Sequence, residues 1–307
     1  MPLEIKAPER IHEDFGDGLA KLISIVNKIT TSEEQEIIID FSKTKWLNPF
    51  YLAGLTCVIN RLNFNGKRFQ INYHDNHHIN SYLDTIQFTK SFNTESEADN
   101  NPQITFDSFR NKTYVPITSF KTGSETEKTI ERERILTAIS QLLKNQLRFS
   151  ETDAQPMKYF LSELTDNINE HSKTDRGYVF AQFYPNSNFL DLCICDGGQG
   201  IMQSYLNNPT FNPRDEEEAI RFAMFGKSTK NRPEARGFGI TTTRNMLVNG
   251  LRGKIFIWSG ATTFIQTTNK EAIVNISGAG FFQGTFIAIR IPTIISSNFN
   301  FYQYIER

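Results

Sequence analysis

The segment FLSELTDNINEHSKTD places polar side chains at regular four-residue intervals within a helix-like pattern. Glu163, Asn167 and His171 are each four residues apart, so on an α-helix they share one face over about two turns. A carboxylate, an amide and an imidazole aligned in this way form either a solvated helix surface or one wall of a site. Which of the two holds depends on the elements that the chain places beside this helix.

The segment DGGQG, residues 196–200, follows an apolar run that is typical of a buried strand. Asp196 therefore lies at a predicted strand end, where a fixed carboxylate can accept hydrogen bonds from a ligand amino group. Gly198 and Gly200 allow the backbone to bend and to approach a ligand closely. Taken alone, Asp-Gly-Gly is also an ordinary turn at the end of a strand.

A second glycine segment, RGFGITTTRNML, places Gly237 and Gly239 at the start of a predicted helix. Free backbone N–H groups and the helix dipole favour an anion at such a position. The preceding loop carries four cations: Lys227, Lys230, Arg232 and Arg236. These side chains offer positive charge to an anion, the alternative being a solvated basic loop.

The composition restricts the function classes. With 307 residues and a formal net charge of -1, the chain is long enough for two domains and has no global basic field that would indicate nucleic-acid binding. Cys57, Cys193 and Cys195 do not form a disulfide framework, which fits a reducing cytoplasm. No signal-like segment and no run of eighteen apolar residues is present, so we expect a soluble protein that reaches a membrane only through a partner.

The first part of the chain alternates helical and strand-like patterns, which predicts an α/β domain with a mainly parallel sheet. The predicted elements are a helix at 19–29, a strand at 36–42, a helix at 51–66, a strand at 68–74 and a helix at 76–88. From Thr89 to about Thr129 the sequence becomes polar, apart from a strand-like run at 114–117. We therefore predict a domain with its linker over 1–120 and a second domain over 121–307.

The second part predicts an α/β two-layer sandwich, with helices on one side and a largely antiparallel sheet on the other. Its predicted helices are at 130–149, after SETDAQP in the segment that carries the polar stripe, at 215–225 and at 240–248. Its predicted strands are the pair GYVFAQFYP and NFLDLCICDGG, and three later runs that end in GTFIAIRIP.

The order of these motifs resembles the GHKL superfamily of ATP-binding domains, the group that contains DNA gyrase, heat-shock chaperones, sensor histidine kinases and mismatch-repair ATPases. The series is Glu-x-x-x-Asn on a helix, a strand ending in Asp-x-Gly-x-Gly, a basic loop, Gly-x-Gly opening a helix, and Gly-Thr starting a late strand. The resemblance covers residues 130–292 and implies ATP and Mg²⁺ as cofactors. A Walker P-loop, which binds nucleotides differently, is absent from the sequence.

At the phosphate end, the resemblance implies that Asn167 is the Mg²⁺ ligand that bridges to the phosphates. Glu163 corresponds to the general base that activates water in the ATPase branches of the superfamily. Gly237 and Gly239 would close over the phosphates.

At the adenine end, the resemblance implies that Asp196 binds the exocyclic amino group of adenine. Gly198 and Gly200 would shape the pocket floor, and Thr285, after Gly284, matches the threonine that supports the aspartate. His171 is interpreted as a rim residue of the site, because a histidine at a helix end is more often a cap than a catalyst.

The first domain resembles the STAS domain of anti-sigma-factor antagonists, through IIIDFSKTKWLNPFYLAGL followed by GKRFQINYHDNHHINSYLDTIQF. Phosphorylated members of that family carry a serine at the start of the first of these helices. Pro49 and Phe50 stand there in this chain, which argues against a phosphorylation switch at that position.

Two functions remain open at this point. In the first, the protein is an ATPase, or a kinase that phosphorylates serine or threonine of a partner as anti-sigma kinases do. In the second, it is an ATP-dependent conformational switch or binding module with little turnover. Residues 130–160 contain no histidine, which argues against an autophosphorylating histidine kinase. A regulatory protein partner is expected in both cases, and the oligomeric state is open, with a homodimer among the alternatives.

Overall fold

A computed structural model of the protein describes residues 1–11, 15–47, 49–73, 77–88, 112–122, 126–146, 151–225, 239–294, 299–300 and 302–305. Within these ranges the chain is a mixed α/β protein with a three-stranded sheet and a seven-stranded sheet. No helix in the described ranges is both long enough and apolar enough to cross a bilayer.

Residues 3–85, here called the N-terminal unit, form the smaller sheet and its helices. The elements are β1 (Leu3–Lys6), α1 (Phe15–Thr31), β2 (Glu36–Asp40), α2 (Pro49–Phe64), β3 (Arg68–Asn72) and α3 (His77–Thr85). The strand order is β1-β2-β3 and both strand pairs are parallel, which confirms the expectation of a parallel sheet. Strand β1 was not predicted, because four residues are too few to give a clear alternating pattern.

Residues 114–292, here called the C-terminal unit, form the larger sheet and the helices that pack on it. The strands are β4 (Tyr114–Lys121), β5 (Arg176–Tyr184), β6 (Phe189–Asp196), β7 (Lys254–Gly260), β8 (Thr262–Thr267), β9 (Lys270–Asn275) and β10 (Phe282–Pro292). Their order is β4-β5-β6-β10-β7-β8-β9, and every neighbouring pair is antiparallel, as the sequence predicted.

The helices of this part of the chain differ in detail from the predicted ones. They are α4 (Thr126–Gln146), α5 (Glu151–His171), α6 (Gly200–Leu206), α7 (Glu216–Met224), α8 (Gly239–Asn245), which continues as a π-helical turn (Met246–Gly250), and a short α9 (Tyr302–Ile305). Helix α5 begins at Glu151, so the prediction that SETDAQP precedes this helix was wrong.

Strand β4 shows where the larger sheet begins along the chain. It pairs with β5 over residues 114–121, so the strand-like run predicted at 114–117 belongs to the C-terminal unit. The main-chain amide of Ile117 also donates to the carbonyl of Ile86, at 2.9 Å, directly after α3. The two units are therefore joined by a main-chain hydrogen bond as well as by side-chain packing.

The larger sheet is buried on both faces. Leu192 and Ile194 of β6 point into the core formed with helices α4 to α8, and this side is here called the helix face. Cys193 and Cys195 of the same strand point into the core shared with α1, α2 and α3, and this side is here called the N-terminal face. The order of layers is therefore helices, large sheet, the helices of the N-terminal unit, and small sheet.

Helix α2 packs closely on the large sheet because Gly54 lies at its point of contact. A Cβ at this position would lie 2.7 Å from a methyl carbon of Leu22 on α1 and 2.8 Å from the ring of Phe286 on β10. Such distances leave no room for a side chain. Glycine thus allows α1, α2 and the sheet to meet at one place.

A buried ion pair lies on the N-terminal face. Arg290 of β10 donates to both carboxylate oxygens of Asp191 on β6, at 2.7 and 2.8 Å, and these residues are 8% and 0% exposed. The guanidinium also lies over the ring of Phe189, 3.8 Å from its centroid. Nearby, the hydroxyl of Tyr82 on α3 donates to Gln182 of β5 at 3.0 Å. The ion pair thus joins two strands of the large sheet, and the Tyr82–Gln182 hydrogen bond joins the N-terminal unit to that sheet.

Candidate functional site

Helix α5 presents the polar stripe beside a buried apolar stripe. Phe160, Leu161, Leu164 and Ile168 recur at helical spacing and are buried against the sheet and neighbouring helices. Glu163 and Asn167 lie at partly buried positions next to them. The buried Nδ2 atom of Asn167 has no hydrogen-bond partner among the described residues. A buried polar atom without a partner is unfavourable, so this amide is a candidate to contact a ligand.

The orientation of α5 is held by an ion pair to α4. A guanidinium nitrogen of Arg132 bonds to the carboxylate of Asp166, and the hydroxyl of Ser162 also lies 3.4 Å from that carboxylate. Both charged side chains are partly exposed. Asp166 lies three residues after Glu163 and directly before Asn167, so the ion pair ties this part of α5 to α4.

The end of α5 supports the loop that follows β6. The carbonyl of His171 accepts a hydrogen bond from the side chain of Gln199, and the carbonyl of Ser172 accepts one from the main-chain amide of Gln199 at 2.8 Å. The imidazole of His171 is partly buried and lies 3.8 Å from the carboxylate of Glu170. His171 therefore contributes to the loop through its main chain.

Asp196 is the last residue of β6 and is only 2% exposed. Its strand neighbours are Gly177 on β5 and Thr285 on β10. One carboxylate oxygen accepts a hydrogen bond from the amide of Gly198 at 2.9 Å. Burial raises the pKa of Asp196 to about 7, although hydrogen bonds to the main chain at Gly198 and Thr285 act in the opposite direction. This carboxyl group can therefore change its protonation near neutral pH.

Gly198 and Gly284 allow neighbouring main-chain segments to contact each other around Asp196. A Cβ on Gly198 would overlap the carbonyl oxygen of Ser172, and a Cβ on Gly284 would overlap the carbonyl oxygen of Asp196. Gly284 also has a φ of +98°, a conformation that favours glycine. Gly200, with a φ of +77°, begins α6. The predicted pocket-floor glycines thus lie where the main chain of α5, β6 and β10 converges.

Two side chains that were not predicted from the sequence connect the main-chain segments that meet around Asp196. The hydroxyl of Ser259, on β7, accepts from the amide of Ile201 at 2.9 Å and donates to the carbonyl of Gly284 at 2.8 Å. The side chain of Gln283 donates to the carbonyl of Gly198 at 2.8 Å. A lone serine or glutamine carries no recognisable spacing, so only the neighbouring Gly-Thr motif could have pointed to this place.

Thr285 lies beside Asp196 as a partner in the strand pair. The contact that acts on the carboxylate comes from the main chain of Thr285. Its side chain is partly buried. Thr285 therefore supports the aspartate through its main chain, which the pairing of β10 with β6 places beside Asp196.

The predicted phosphate-binding residues are only partly within the described ranges. Lys227, Lys230, Arg232, Arg236 and Gly237 lie outside the residues that the structure describes. Gly239 is the first residue of α8, and α8 packs against α5. The structure thus brings together α5, the end of β6, the start of β10 and α8.

A metal ion at this site would depend on few protein ligands. Within the described ranges, no three His, Cys, Asp or Glu side chains are grouped as a metal site. Mg²⁺ usually keeps several waters and takes phosphate oxygens as ligands, so a single amide oxygen from Asn167 is a sufficient protein contribution. The atom of Asn167 that lacks a partner is the amide nitrogen, which can donate to a phosphate oxygen but cannot bind Mg²⁺.

No protein-family model matches the sequence, and no curated protein is significantly similar to it.

Proposed function

We propose that the protein binds ATP with Mg²⁺ in the manner of GHKL domains, with a STAS-like N-terminal unit. The observation that carries the proposal is Asp196: a buried carboxyl at a strand end, among glycines that leave the main chain bare. A buried carboxylate has lost the water molecules that would donate hydrogen bonds to it. The exocyclic amino group of adenine can donate such a bond instead. Gly198 and Gly200 would form the floor beneath the base.

The phosphate end of the proposed site is the polar stripe of α5. Asn167 would hold Mg²⁺ through its amide oxygen, and the bound ion would offset the negative charge of the phosphates. Lys227, Lys230 and Arg236 are proposed to contact phosphate oxygens, and Gly237 and Gly239 to close over them.

Glu163 lies one turn before Asn167 and is proposed as the general base. Its role would be to orient the attacking group, water or the hydroxyl of a partner's serine or threonine, and to accept its proton. The product would be free phosphate in the first case and a phosphorylated partner protein in the second.

The second candidate function, an ATP-dependent switch with little turnover, is favoured by the packing of the two units. Helix α2 of the N-terminal unit lies on the N-terminal face of β5, β6 and β10, the strands that form the proposed adenine end. A nucleotide that shifts this end would also shift the N-terminal unit, and would thereby change the affinity for a regulatory protein docked on that unit. The buried free thiols fit the proposed cytoplasmic location.

Nucleotide binding can be tested by calorimetry with Mg²⁺ and ATP. We expect the wild-type protein to bind, and Asp196→Asn and Asn167→Ala to bind at least tenfold more weakly, about 1.4 kcal/mol. The asparagine keeps the size of Asp196 and an acceptor for the Gly198 amide. Asp175→Asn, an exposed position in the same unit, is the matched control. Unchanged affinity for MgATP in both site variants would contradict the proposed nucleotide site.

Turnover is tested separately by phosphate release. We expect Glu163→Gln to lose roughly 100-fold or more of any activity while it keeps its affinity for ATP, because general-base catalysis contributes on the order of 10²–10⁴. If the wild-type protein, alone and with candidate partners, releases and transfers no more phosphate than this variant, the enzyme hypothesis fails. The switch hypothesis then stands alone.

A further inference from the structure

Helix α2 lies along β6 and is held to it at successive turns. The thiol of Cys195 donates to the carbonyl of Ala53 at 3.7 Å, and the thiol of Cys57 interacts with that of Cys195. One turn further, the side chain of Arg61 reaches Gly197, the residue after Asp196. Ala53, Cys57 and Arg61 are four residues apart and share one face of the helix.

The contact at Gly197 is made by the stem of the arginine. A Cβ on Gly197 would lie 3.2 Å from Cδ, 3.6 Å from Cβ and 3.8 Å from Cγ of Arg61. Arginine stems often cover apolar or bare main-chain surface while the charged head stays hydrated. Arg61 is partly buried, as this arrangement requires.

The loop at 197–199 is therefore confined from two sides. Ser172, at the end of α5, accepts the main-chain hydrogen bond of Gln199 and leaves no space for a side chain at Gly198. Arg61, from the N-terminal unit, packs against the loop at Gly197. One wall thus comes from each unit of the molecule.

We propose that Arg61 is a positioning residue for the adenine end of the nucleotide site, through which the N-terminal unit controls affinity for adenine nucleotides. This inference rests on the proposed nucleotide binding. A ligand pocket depends on supporting residues that hold its contacts within about 0.5 Å. A movement of α2 along β6 would press or release the loop beside Asp196, and nucleotide binding would in turn bias the position of α2.

The first test compares Arg61→Ala, Arg61→Met and the exposed control Arg68→Ala, all in the full chain. We expect Arg61→Ala to weaken binding of MgATP, MgADP and adenosine by the same factor, about tenfold, because the loop acts on the base. Methionine keeps an aliphatic stem without the charge and should restore most of the affinity. Thermal unfolding and near-UV circular dichroism, recorded on each variant, separate this effect from misfolding.

The second test uses Gly197→Ala, alone and combined with Arg61→Ala. The added methyl group meets the Arg61 stem, so the single variant should bind adenosine more weakly. In the double variant the methyl group occupies space left by the stem, so affinity should recover above that of either single variant. Such non-additivity identifies direct contact between the two positions.

The outcomes are distinct. A wild-type protein that binds no adenine nucleotide would overturn the proposed function together with this inference. Binding by the wild type with Arg61→Ala equal to Arg68→Ala would overturn the inference alone. The same holds if methionine fails to restore affinity, if ATP is weakened while adenosine is not, or if the effects of Gly197→Ala and Arg61→Ala simply add.

Discussion

The two faces of the seven-stranded sheet are buried by different means. The core on the helix face is apolar, with aliphatic residues of β6, β7 and β10 packed against helices from the same unit. The core on the N-terminal face combines large aromatic rings, three free thiols and the Arg290–Asp191 pair. Its cover comes from the other unit, residues 3–85.

This difference indicates a division of roles. Apolar packing stabilises a layer but tolerates sliding, whereas a bidentate ion pair requires one arrangement of the two partners. The Arg290–Asp191 pair thus fixes β10 against β6. Contacts on this face that reach the N-terminal unit include the Tyr82–Gln182 hydrogen bond and the ring of Phe15, whose centroid lies 5.7 Å from the Arg290 guanidinium carbon. Because the loop beyond Asp196 touches that unit, the docking position matters for the proposed nucleotide site.

The largest expected effect comes from breaking the buried pair. Arg290→Met removes the guanidinium that donates to both oxygens of the buried Asp191 carboxylate, so the free energy of unfolding should fall by about 3–5 kcal/mol. Denaturant unfolding measures this change. The double variant Arg290→Met with Asp191→Leu should recover most of the stability, since it leaves no unpaired charge. A loss below about 1 kcal/mol in the single variant, typical of an exposed pair, would contradict this account of the N-terminal face.

The next effect is a pH dependence at Asp196, on the strand that both faces share. Its pKa is raised from 3.8 to about 7, so the fold favours the neutral carboxyl. The corresponding stability is fully present below pH 4, is lost as the pH rises towards 7, and is absent above it. A shift of about three units corresponds to at most about 4 kcal/mol.

Asp196→Asn removes this titration, so it should gain stability relative to the wild type between pH 4 and pH 7. The measurement is the difference in the free energy of unfolding between the two proteins across that range. Asp175→Asn, on the surface, serves as the control for other titrating groups. A difference that stays flat with pH would show that burial does not control this carboxyl.

Much of this fold could be predicted because local patterns are strong. The helical spacing of apolar residues in α1 and the alternation of helices and strands identified the parallel sheet. The unbroken apolar run LCIC in β6 indicated a buried strand. It could not indicate what covers the second face, because that cover comes from helices more than a hundred residues earlier.

The candidate site was predictable in part for the same reason. Asp196 stands out because a carboxylate and glycines follow a buried strand directly. Ser259 and Arg61 do not stand out, since their contacts with the loop join positions far apart in sequence. Their roles follow only from the register of β7 with β10 and from the packing of α2 on β6.

The smallest expected effect tests the ion pair of the helix face. Arg132 and Asp166 are 22% and 27% exposed, far more than the pair on the N-terminal face. Solvent screens such a pair, so Arg132→Met should lower the free energy of unfolding by only about 0.5–1 kcal/mol. Because Asp166 directly precedes Asn167 on α5, the same variant should weaken binding of MgATP more than binding of adenosine, which calorimetry with both ligands measures. Glu217→Gln, which breaks the exposed pair with Arg221 on α7, is the matched control and should leave both affinities unchanged. If Arg132→Met instead costs as much stability as Arg290→Met, the two faces do not differ in the way proposed, since a partly exposed pair would then behave as a buried one.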